Sequence, residues 1–407
     1  MERFVADQIK YGLRHIPLNA AKSFFVPSSS RETQALRGRG FIRGVCHPGE
    51  DYEQIKKANI RWVRIDIPFP YGEGNTLSGA YLRFKERAES YARQGIRVMA
   101  VTPYPRDYIA AGIDFRRPEH EARLGEIALF FLRDLKGIVS AYQITNEMGI
   151  PHFTIPVTMK EAARFIGLQL KAMHPEKGSV LIGYNSAGPQ ADLHLLMKPY
   201  HRYCDYVGID IYVGCFSNVG GYLWFFDLML RYLWAYTRKP LLLQEFGYIG
   251  GGEAKSKREK EAILRAYGVR TPQEAKDNIL SFVEKLPRRL REHVEKVGGG
   301  DPSRYYGLLF RSDLNNDLYR ELPRRTHIPG YPHTPQGQAD FYRDILPRLY
   351  RLPYLCGAFI YCYSDAERCY ICGQEDCPTE TRWGLVDCAG REKPSYFSVR
   401  DAFGLMG

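Results

Sequence analysis

Short apolar runs alternate with amphipathic helical stretches eight times along this chain, and this alternation limits the folds that the chain can adopt. An apolar run followed by a helix is typical of parallel strands joined by crossover helices. Eight such units predict an α/β fold of the (β/α)₈ type, or TIM barrel, for which about 250 residues usually suffice. The predicted strands are 41–46, 61–67, 96–102, 139–145, 180–184, 206–212, 241–244 and 357–363.

A doubly wound α/β sheet shows the same alternation of strands and helices and is the main structural alternative. Such a sheet usually carries a glycine-rich phosphate-binding turn after its first strand. The sequence after the first predicted strand, Gly44-Val-Cys-His-Pro-Gly49, does not fit that fingerprint. We therefore expect the closed barrel.

The chain has 407 residues, more than a barrel of this type needs. The excess predicts an N-terminal arm at 1–40 and a catalytic barrel at 41–407 that carries an insertion at 250–332. Helical patterns at 256–267 and 271–294 indicate that this insertion is helical. Because the insertion follows the carboxyl end of the seventh strand, we expect it on the barrel face that carries active sites.

Charge and hydropathy restrict the partners. The net charge of +11 comes from Lys and Arg scattered through helical segments, so we expect solvated helix faces and no nucleic-acid partner. No segment approaches the roughly 18 uninterrupted apolar residues of a membrane span, so we expect no membrane partner. The sequence leaves the oligomeric state open.

The amino terminus and the cysteines bear on the compartment. The first residues, Met-Glu-Arg-Phe-Val-Ala-Asp-Gln, contain no apolar run of signal-peptide length. Nine cysteines are an odd number, and five of them lie in or beside predicted strands, where cysteine usually behaves as a small buried apolar residue. Both features predict a reducing, cytoplasmic location.

Two glutamates stand where buried strands end. Glu147 follows the apolar run 139–145 and the amide of Asn146, and Glu245 follows a second run that ends in Gln244. Burial of an ionised carboxyl costs several kcal/mol unless the charge is paired. Two such placements, about 98 residues apart, suggest one shared site in which both acids take part in the chemistry.

In a barrel, the carboxyl ends of all strands point to one face, so Glu147 and Glu245 are expected to converge there. Hydrolysis of a glycosidic bond needs such a pair, one acid protonated and one ionised. Carboxyls about 5 to 5.5 Å apart give a retaining reaction, and a wider gap leaves room for an inverting water.

With these two glutamates at strands four and seven, the chain resembles the clan of barrel glycoside hydrolases that includes the cellulase, mannanase, β-galactosidase and β-glucuronidase families. The resemblance spans all eight predicted strands. It implies that Glu147 is the general acid/base and Glu245 the nucleophile of a double displacement. It also implies that Asn146 binds the sugar 2-hydroxyl.

The same resemblance indicates further binding residues. Arg64, at the end of strand two, corresponds to an arginine that keeps the nucleophile ionised, and Tyr212, at the end of strand six, to an aromatic residue that orients it. His47 and Asn185, near the ends of strands one and five, are additional candidates for contact with substrate. Tyr361 stands where the β-galactosidase-type pattern has a tryptophan that forms the floor of the sugar site.

Four cysteines lie close together in the loop 365–390 after strand eight, at Cys369, Cys372, Cys377 and Cys388. Their spacing fits a closed structural zinc site, although disulfides or unlinked thiols remain alternatives. We expect no cofactor for catalysis, because the paired glutamates already supply an acid and a nucleophile.

Together these features predict a retaining β-glycoside hydrolase that acts on oligosaccharides or on terminal sugars. A long insertion on the active-site face favours such an exo preference, because it closes one end of the cleft. The alternatives are a catalytically inactive carbohydrate-binding barrel and a transglycosylase that uses the same residues.

Overall fold

A computed structural model of the protein contains a closed parallel barrel whose strands follow one another in sequence order, and β1 pairs with β8 to close it. The predicted (β/α)₈ fold is thus confirmed. The structure describes residue 15 and residues 21–215, 223–251, 257–310, 327–368 and 381–406. The strands are β1 Ile42–Cys46, β2 Trp62–Asp66, β3 Arg97–Val101, β4 Val139–Gln143, β5 Leu181–Ala187, β6 Tyr206–Ile211, β7 Leu241–Phe246 and β8 Leu355–Ile360.

Every residue of β6, β7 and β8 is buried, because helices cover the outside of the barrel and side chains fill its inside. The observed strands begin and end within a few residues of the predicted ones. β5 and β7 extend beyond their predicted carboxyl ends, so Asn185 and Glu245 belong to the strands themselves. Tyr361 follows directly after β8.

Three of the long helices around the barrel, Gly79–Arg93, Met159–Met173 and Pro335–Tyr350, begin at a residue whose side chain caps the helix. Thr158 and Glu161 form a reciprocal capping box before Met159–Met173, as the threonine at that position predicts. Among the described residues, no helix is both long and apolar enough to cross a membrane. The helices outside the insertion are Arg31–Arg37, Tyr52–Lys57, Gly79–Arg93, Pro105–Ala110, Pro118–Asp134, Pro151–Thr154, Met159–Met173, Ala191–Met197, Trp224–Thr237, Pro335–Tyr350 and Pro394–Gly404.

The interior of the barrel is packed with large side chains, and glycines on the strands make room for them. A Cβ atom on Gly208 would lie 1.6 Å from the Oε1 atom of Gln244, so only glycine lets this amide cross the barrel. Gly44 likewise accommodates the ring of Phe359. The buried interior cluster comprises Leu36, Ile42, Cys46, Trp62, Met99, Ala141, Tyr206, Leu242, Cys356 and Phe359.

The amino-terminal arm packs against the end of the barrel that lies away from the strands' carboxyl ends. Arg37 donates hydrogen bonds to the carbonyl oxygens of Leu355 at 2.7 Å and Tyr350 at 2.9 Å. Leu36, on the same helix, joins the interior cluster. The helix Arg31–Arg37 of the arm is therefore packed against the barrel.

The insertion after β7 forms a small helical unit with its own apolar core. The predicted helical stretch 271–294 is divided into three helices, and the second break falls at Pro287, which cannot continue a helix. The helices are Lys257–Ala266, Pro272–Asp277, Ile279–Lys285, Arg288–Gly298 and Pro302–Phe310. Their shared core contains Leu264, Val269, Ala275, Phe282, Val283, Leu286, Leu290, Val294, Tyr305, Leu308 and Leu309.

Candidate active site

Arg64 organises the carboxyl end of the barrel from the second strand. Its guanidinium donates from Nη1 to Glu245 Oε1 at 2.6 Å, from Nε to Gln143 Oε1 at 2.7 Å and from Nη2 to Asn146 Oδ1 at 2.6 Å. Burial acts to lower the pKa of Arg64, but the charge of Glu245 leads the opposing effects, and the pKa lies well above its usual value. Arg64 is therefore a fixed cation that links β2, β4 and β7.

Glu245 is held at both of its carboxyl oxygens. It is 7% exposed and forms an ion pair with Arg64 through Oε1. Its other oxygen, Oε2, accepts a hydrogen bond from the hydroxyl of Tyr212. Burial and then the charge of Glu245 raise the pKa of Tyr212 well above its usual value, so the hydroxyl keeps the proton that it donates. This arrangement stabilises Glu245 as an ionised, oriented carboxylate.

Asn146 has an amide whose orientation is determined by its neighbours. Its Oδ1 atom accepts hydrogen bonds from Arg64, from Gln143 Nε2 at 2.9 Å and from Asn185 Nδ2 at 2.7 Å. Arginine only donates, so the atom that faces Arg64 must be the amide oxygen. The amide nitrogen consequently faces Glu147, whose Oε2 lies 3.5 Å away.

Glu147 is half-buried and extends from a strained turn at the end of β4. Both Thr145, with φ of 59°, and Glu147, with φ of 46°, adopt the left-handed conformation that side-chain-bearing residues rarely take. The turn is held by two side chains. Thr102 Oγ1 accepts from the Thr145 amide at 3.1 Å, and Asn185 Oδ1 accepts from the Glu147 amide at 2.9 Å.

Asn185 was expected to contact substrate, and the structure places it beneath Asn146 with 1% of its surface exposed. Its Nδ2 atom donates both to Asn146 and to Asp210 Oδ2, the latter at 2.5 Å. In this position Asn185 supports Asn146 and Glu147 from below.

Three aromatic rings pack against one another beside Glu245. Tyr361 lies 5.7 Å from Tyr212 and 5.6 Å from Trp383 between ring centroids, and Tyr212 lies 5.2 Å from Trp383. Trp383 is fully buried, so it supports the two tyrosines from behind. His47, exposed after β1, packs edge-on against Tyr361 at 5.3 Å.

A second aromatic surface lies on the Glu147 side. Tyr104 stacks on Phe153 with centroids 5.3 Å apart, and the guanidinium of Arg106 lies 4.8 Å from the centre of the Tyr104 ring. Burial, and then the charge of Asp66, raise the pKa of Tyr104 well above its usual value, and Glu147 acts in the same direction. The hydroxyl of Tyr104 therefore stays protonated in the field of Asp66 and Glu147.

Several of these residues carry no separate signal in the sequence. Gln143 and Asp210 lie inside predicted strands that are mostly apolar, and Trp383 follows the cysteine-rich loop. The alternation of side chains along a strand could have indicated Asp210, because side chains two positions apart share a face and Tyr212 is two positions away. The role of Gln143, three positions before Asn146, could not be predicted in this way, because it depends on a contact with Arg64 on another strand.

Of the four cysteines of the predicted zinc site, the structure describes Cys388. Cys369, Cys372 and Cys377 lie outside the described residues, and Cys388 is exposed. Within the described parts of the chain, no cluster of three or more His, Cys, Asp or Glu side chains could hold a metal ion. The zinc site remains a prediction from the spacing.

Neither a protein-family model nor a curated protein matches this sequence. Solved structures do. The catalytic domain of a GH53 protein from Ignisphaera aggregans matches with a TM-score of 0.56 and 16% identity, over 89% of this chain and 96% of that domain. A family 39 glycoside hydrolase from Bacteroides cellulosilyticus WH2 matches with a TM-score of 0.53 and 13% identity, over 89% of this chain and 63% of that one.

A β-glucuronidase from Bacteroides uniformis matches with a TM-score of 0.51 and 14% identity, over 89% of this chain and 35% of that one. These likenesses show the fold. The chain spans about half the length of other β-galacturonidase and β-glucuronidase chains that it matches. The predicted resemblance to barrel glycoside hydrolases is confirmed at the level of the fold.

Proposed function

We propose that this protein is a retaining β-glycoside hydrolase. The observation that carries the proposal is the difference between the surroundings of the two glutamates at one end of the barrel. Arg64 and Tyr212 hold Glu245 as a carboxylate, whereas Glu147 extends half-buried from a strained turn. Two carboxyls that share a site do not readily both ionise, so the proton belongs on Glu147.

The two acids then have complementary roles in a double displacement. Glu245 attacks the anomeric carbon while Glu147 gives its proton to the departing glycosidic oxygen, and a glycosyl ester forms on Glu245. In the second step Glu147, now ionised, takes a proton from water, which attacks the same carbon and releases Glu245. Arg64 and Tyr212 stabilise the Glu245 carboxylate when it leaves.

Asn146 is suited to bind a sugar hydroxyl close to this pair. Its oxygen accepts from three donors on the protein, so its amide hydrogens are directed toward the Glu147 side. By resemblance to the clan, the hydroxyl is the one on sugar carbon 2. A hydrogen bond there strengthens as positive charge develops at the anomeric carbon.

The substrate is proposed to be a terminal sugar or a short oligosaccharide. The helical unit at 257–310 follows the carboxyl end of β7, so it emerges at the end of the barrel that carries Glu147 and Glu245. Tyr361 and Tyr212 offer aromatic surface on the Glu245 side of the site.

Activity on a panel of aryl β-glycosides, comprising glucoside, galactoside, mannoside, xyloside and glucuronide, tests the proposal. Glu147→Gln should lower kcat by about 10² to 10⁴-fold, because hydrolysis of the glycosyl ester needs Glu147 as the base. The loss in kcat/KM, which reports the first step, should be smaller for leaving groups that need no protonation. Glu245→Gln should lower kcat at least as much for all leaving groups. The exposed Glu284, on the insertion, provides a matched Glu→Gln control that should keep full activity.

Other outcomes would assign other functions. A wild-type protein that binds oligosaccharides and cleaves no glycoside in the panel would be a binding barrel. Transfer of the sugar to an added alcohol in preference to water would identify a transglycosylase. Cleavage that both glutamine variants retain would contradict the mechanism.

A further inference from the structure

Asp210 is a buried acid in the active site to which the proposed mechanism gives no role. It lies in β6, 3% exposed, two positions before Tyr212 and therefore on the same face of the strand. Its Oδ2 atom accepts a hydrogen bond from Asn185 Nδ2 at 2.5 Å. Its Oδ1 atom is buried and has no hydrogen-bond partner among the described residues.

The contact with Asn185 connects Asp210 to both parts of the catalytic turn. The same Asn185 nitrogen donates to Asn146 Oδ1 at 2.7 Å, and Asn185 Oδ1 accepts from the backbone amide of Glu147 at 2.9 Å. A rotation of Asn185 would therefore disturb the side chain of Asn146 and the left-handed backbone of Glu147 together.

The surroundings of Asp210 contain more negative than positive groups. Arg64 on β2 donates to Glu245, Gln143 and Asn146, and none of these hydrogen bonds goes to Asp210. Glu245 on β7 faces Asp210 with the same charge, and Glu147 after β4 adds a second negative charge whenever it is ionised. The remaining titratable neighbours are Cys46 on β1 and Tyr212, directly after β6.

These surroundings favour the protonated acid. Burial, then the charges of Glu245 and Glu147, raise the pKa of Asp210 well above its ordinary value of 3.8, against the weaker effects of Arg64 and the Glu245 backbone amide. An ionised carboxylate would also need several donors, and among the described side chains only Asn185 donates to Asp210, beside the weak effect of the Glu245 backbone amide.

We propose that Asp210 is a positioning residue that works as a neutral carboxylic acid, holding Asn185 and, through it, Asn146 and Glu147. Since Asn185 donates to Oδ2, that atom is the carbonyl oxygen and the proton is on Oδ1. The inference rests on the proposed glycosidase function, because it assigns Asp210 to the support of Glu147.

Neutrality of Asp210 matters for the first half of the reaction. Glu147 must give up its proton in the first step and take another from water in the second. A third negative charge beside Glu147 and Glu245 would hold the proton on Glu147 and slow its release. A neutral acid accepts the same hydrogen bond from Asn185 without adding that charge.

Two variants of Asp210 separate the effect of its hydrogen bond on catalysis from the effect of its charge. Asp210→Leu keeps the number and branching of the side-chain heavy atoms and removes the acceptor, so kcat should fall at least 10-fold with little change in KM. Asp210→Asn keeps an acceptor oxygen and is neutral at every pH, so it should restore most of the lost kcat. The alkaline limb of its kcat/KM profile should coincide with that of the wild type.

Two results would overturn the proposal. If wild-type Asp210 were ionised, Asp210→Asn would remove a negative charge beside Glu147 and move the alkaline limb to lower pH by about one unit. A folded Asp210→Leu protein with wild-type kcat would show that Asn185 needs no support from this position.

Unfolding as a function of pH tests the protonation state without reference to activity. An acid whose pKa is raised in the folded protein gives stability that is present below its unfolded pKa and is lost as the pH rises toward the folded value. The Tm of wild type relative to Asp210→Asn should therefore fall between pH 4 and pH 7. A constant difference across this range would overturn the neutral state.

The two proposals fail in different ways. If Glu147→Gln and Glu245→Gln leave catalysis unchanged, the glycosidase mechanism fails, and the unfolding experiment still decides whether Asp210 is neutral. If the glutamate variants behave as expected while Asp210→Leu retains wild-type kcat, only the role of Asp210 is wrong.

Discussion

Arg64 shows how one side chain determines the geometry of this site. Its planar guanidinium reaches a carboxylate on β7, an amide on β4 and the amide of Asn146, all at 2.6 to 2.7 Å. A lysine ammonium is a point charge that cannot match three acceptors in these directions. The arginine therefore contributes both the charge that stabilises Glu245 and the orientation of Asn146.

Arg64→Lys should consequently lower kcat/KM by about 100-fold, which corresponds to about 2.7 kcal/mol of transition-state stabilisation. Steady-state kinetics on the best aryl glycoside measures this loss. The surface variant Arg116→Lys is a suitable control, because Arg116 makes a comparable two-pronged contact with Asp114 away from the site. A loss of less than threefold for Arg64→Lys would show that the charge alone suffices.

The residues of the site differ in how well the sequence predicts them. Glu147, Glu245 and Asn146 are visible because polar side chains interrupt apolar runs where strands end. Gln143 and Asp210 are not, because their roles depend on contacts with Arg64 and Asn185 across the barrel. Such contacts follow from the closure of the sheet, which local pattern does not describe.

Among the elements, the segment that follows the insertion and leads back to the barrel is held by the hydroxyl of Tyr248. Tyr248, two residues after β7, is fully buried, and its hydroxyl accepts from the amide of Ile328 at 2.9 Å and donates to the carbonyl of Tyr331 at 2.5 Å. These contacts fix the chain where it re-enters the barrel before the helix Pro335–Tyr350.

Tyr248→Phe should lower the free energy of unfolding by about 1 to 3 kcal/mol, because it leaves a backbone donor and a backbone acceptor unsatisfied. Urea unfolding measures this change. Tyr331→Phe is the matched control, since its hydroxyl bonds the exposed carboxyl of Asp344, and it should cost less than about 0.5 kcal/mol. Equal stabilities for the two variants would contradict the role given to Tyr248.

At the scale of the whole molecule, the barrel was predictable and the substrate was not. Eight apolar runs with intervening helices require a closed sheet once the phosphate-binding turn of the doubly wound alternative is missing. The sugar depends on loops around the cleft, where small changes in sequence alter contacts without altering the fold. The departure at Tyr361 and the helical insertion belong to these loops.

The position of the insertion predicts how the protein treats a long substrate. We expect single sugars to be released from the non-reducing ends of oligosaccharides that are labelled at the reducing end. The viscosity of the corresponding polysaccharide should fall slowly, because internal bonds are not cleaved. A rapid fall in viscosity before any monosaccharide appears would indicate an open groove and contradict the exo preference.

The most direct test of the central claim is the anomeric configuration of products formed with azide by alanine variants of the two glutamates. With Glu245→Ala, azide takes the place of the missing carboxylate and attacks the anomeric carbon from the face opposite the leaving group. A β-glycoside should therefore give the α-glycosyl azide. With Glu147→Ala, the glycosyl ester on Glu245 still forms, and azide should give the β-glycosyl azide. The reversed pattern, or an absence of azide products from both variants, would contradict the roles of Glu147 as acid/base and Glu245 as nucleophile.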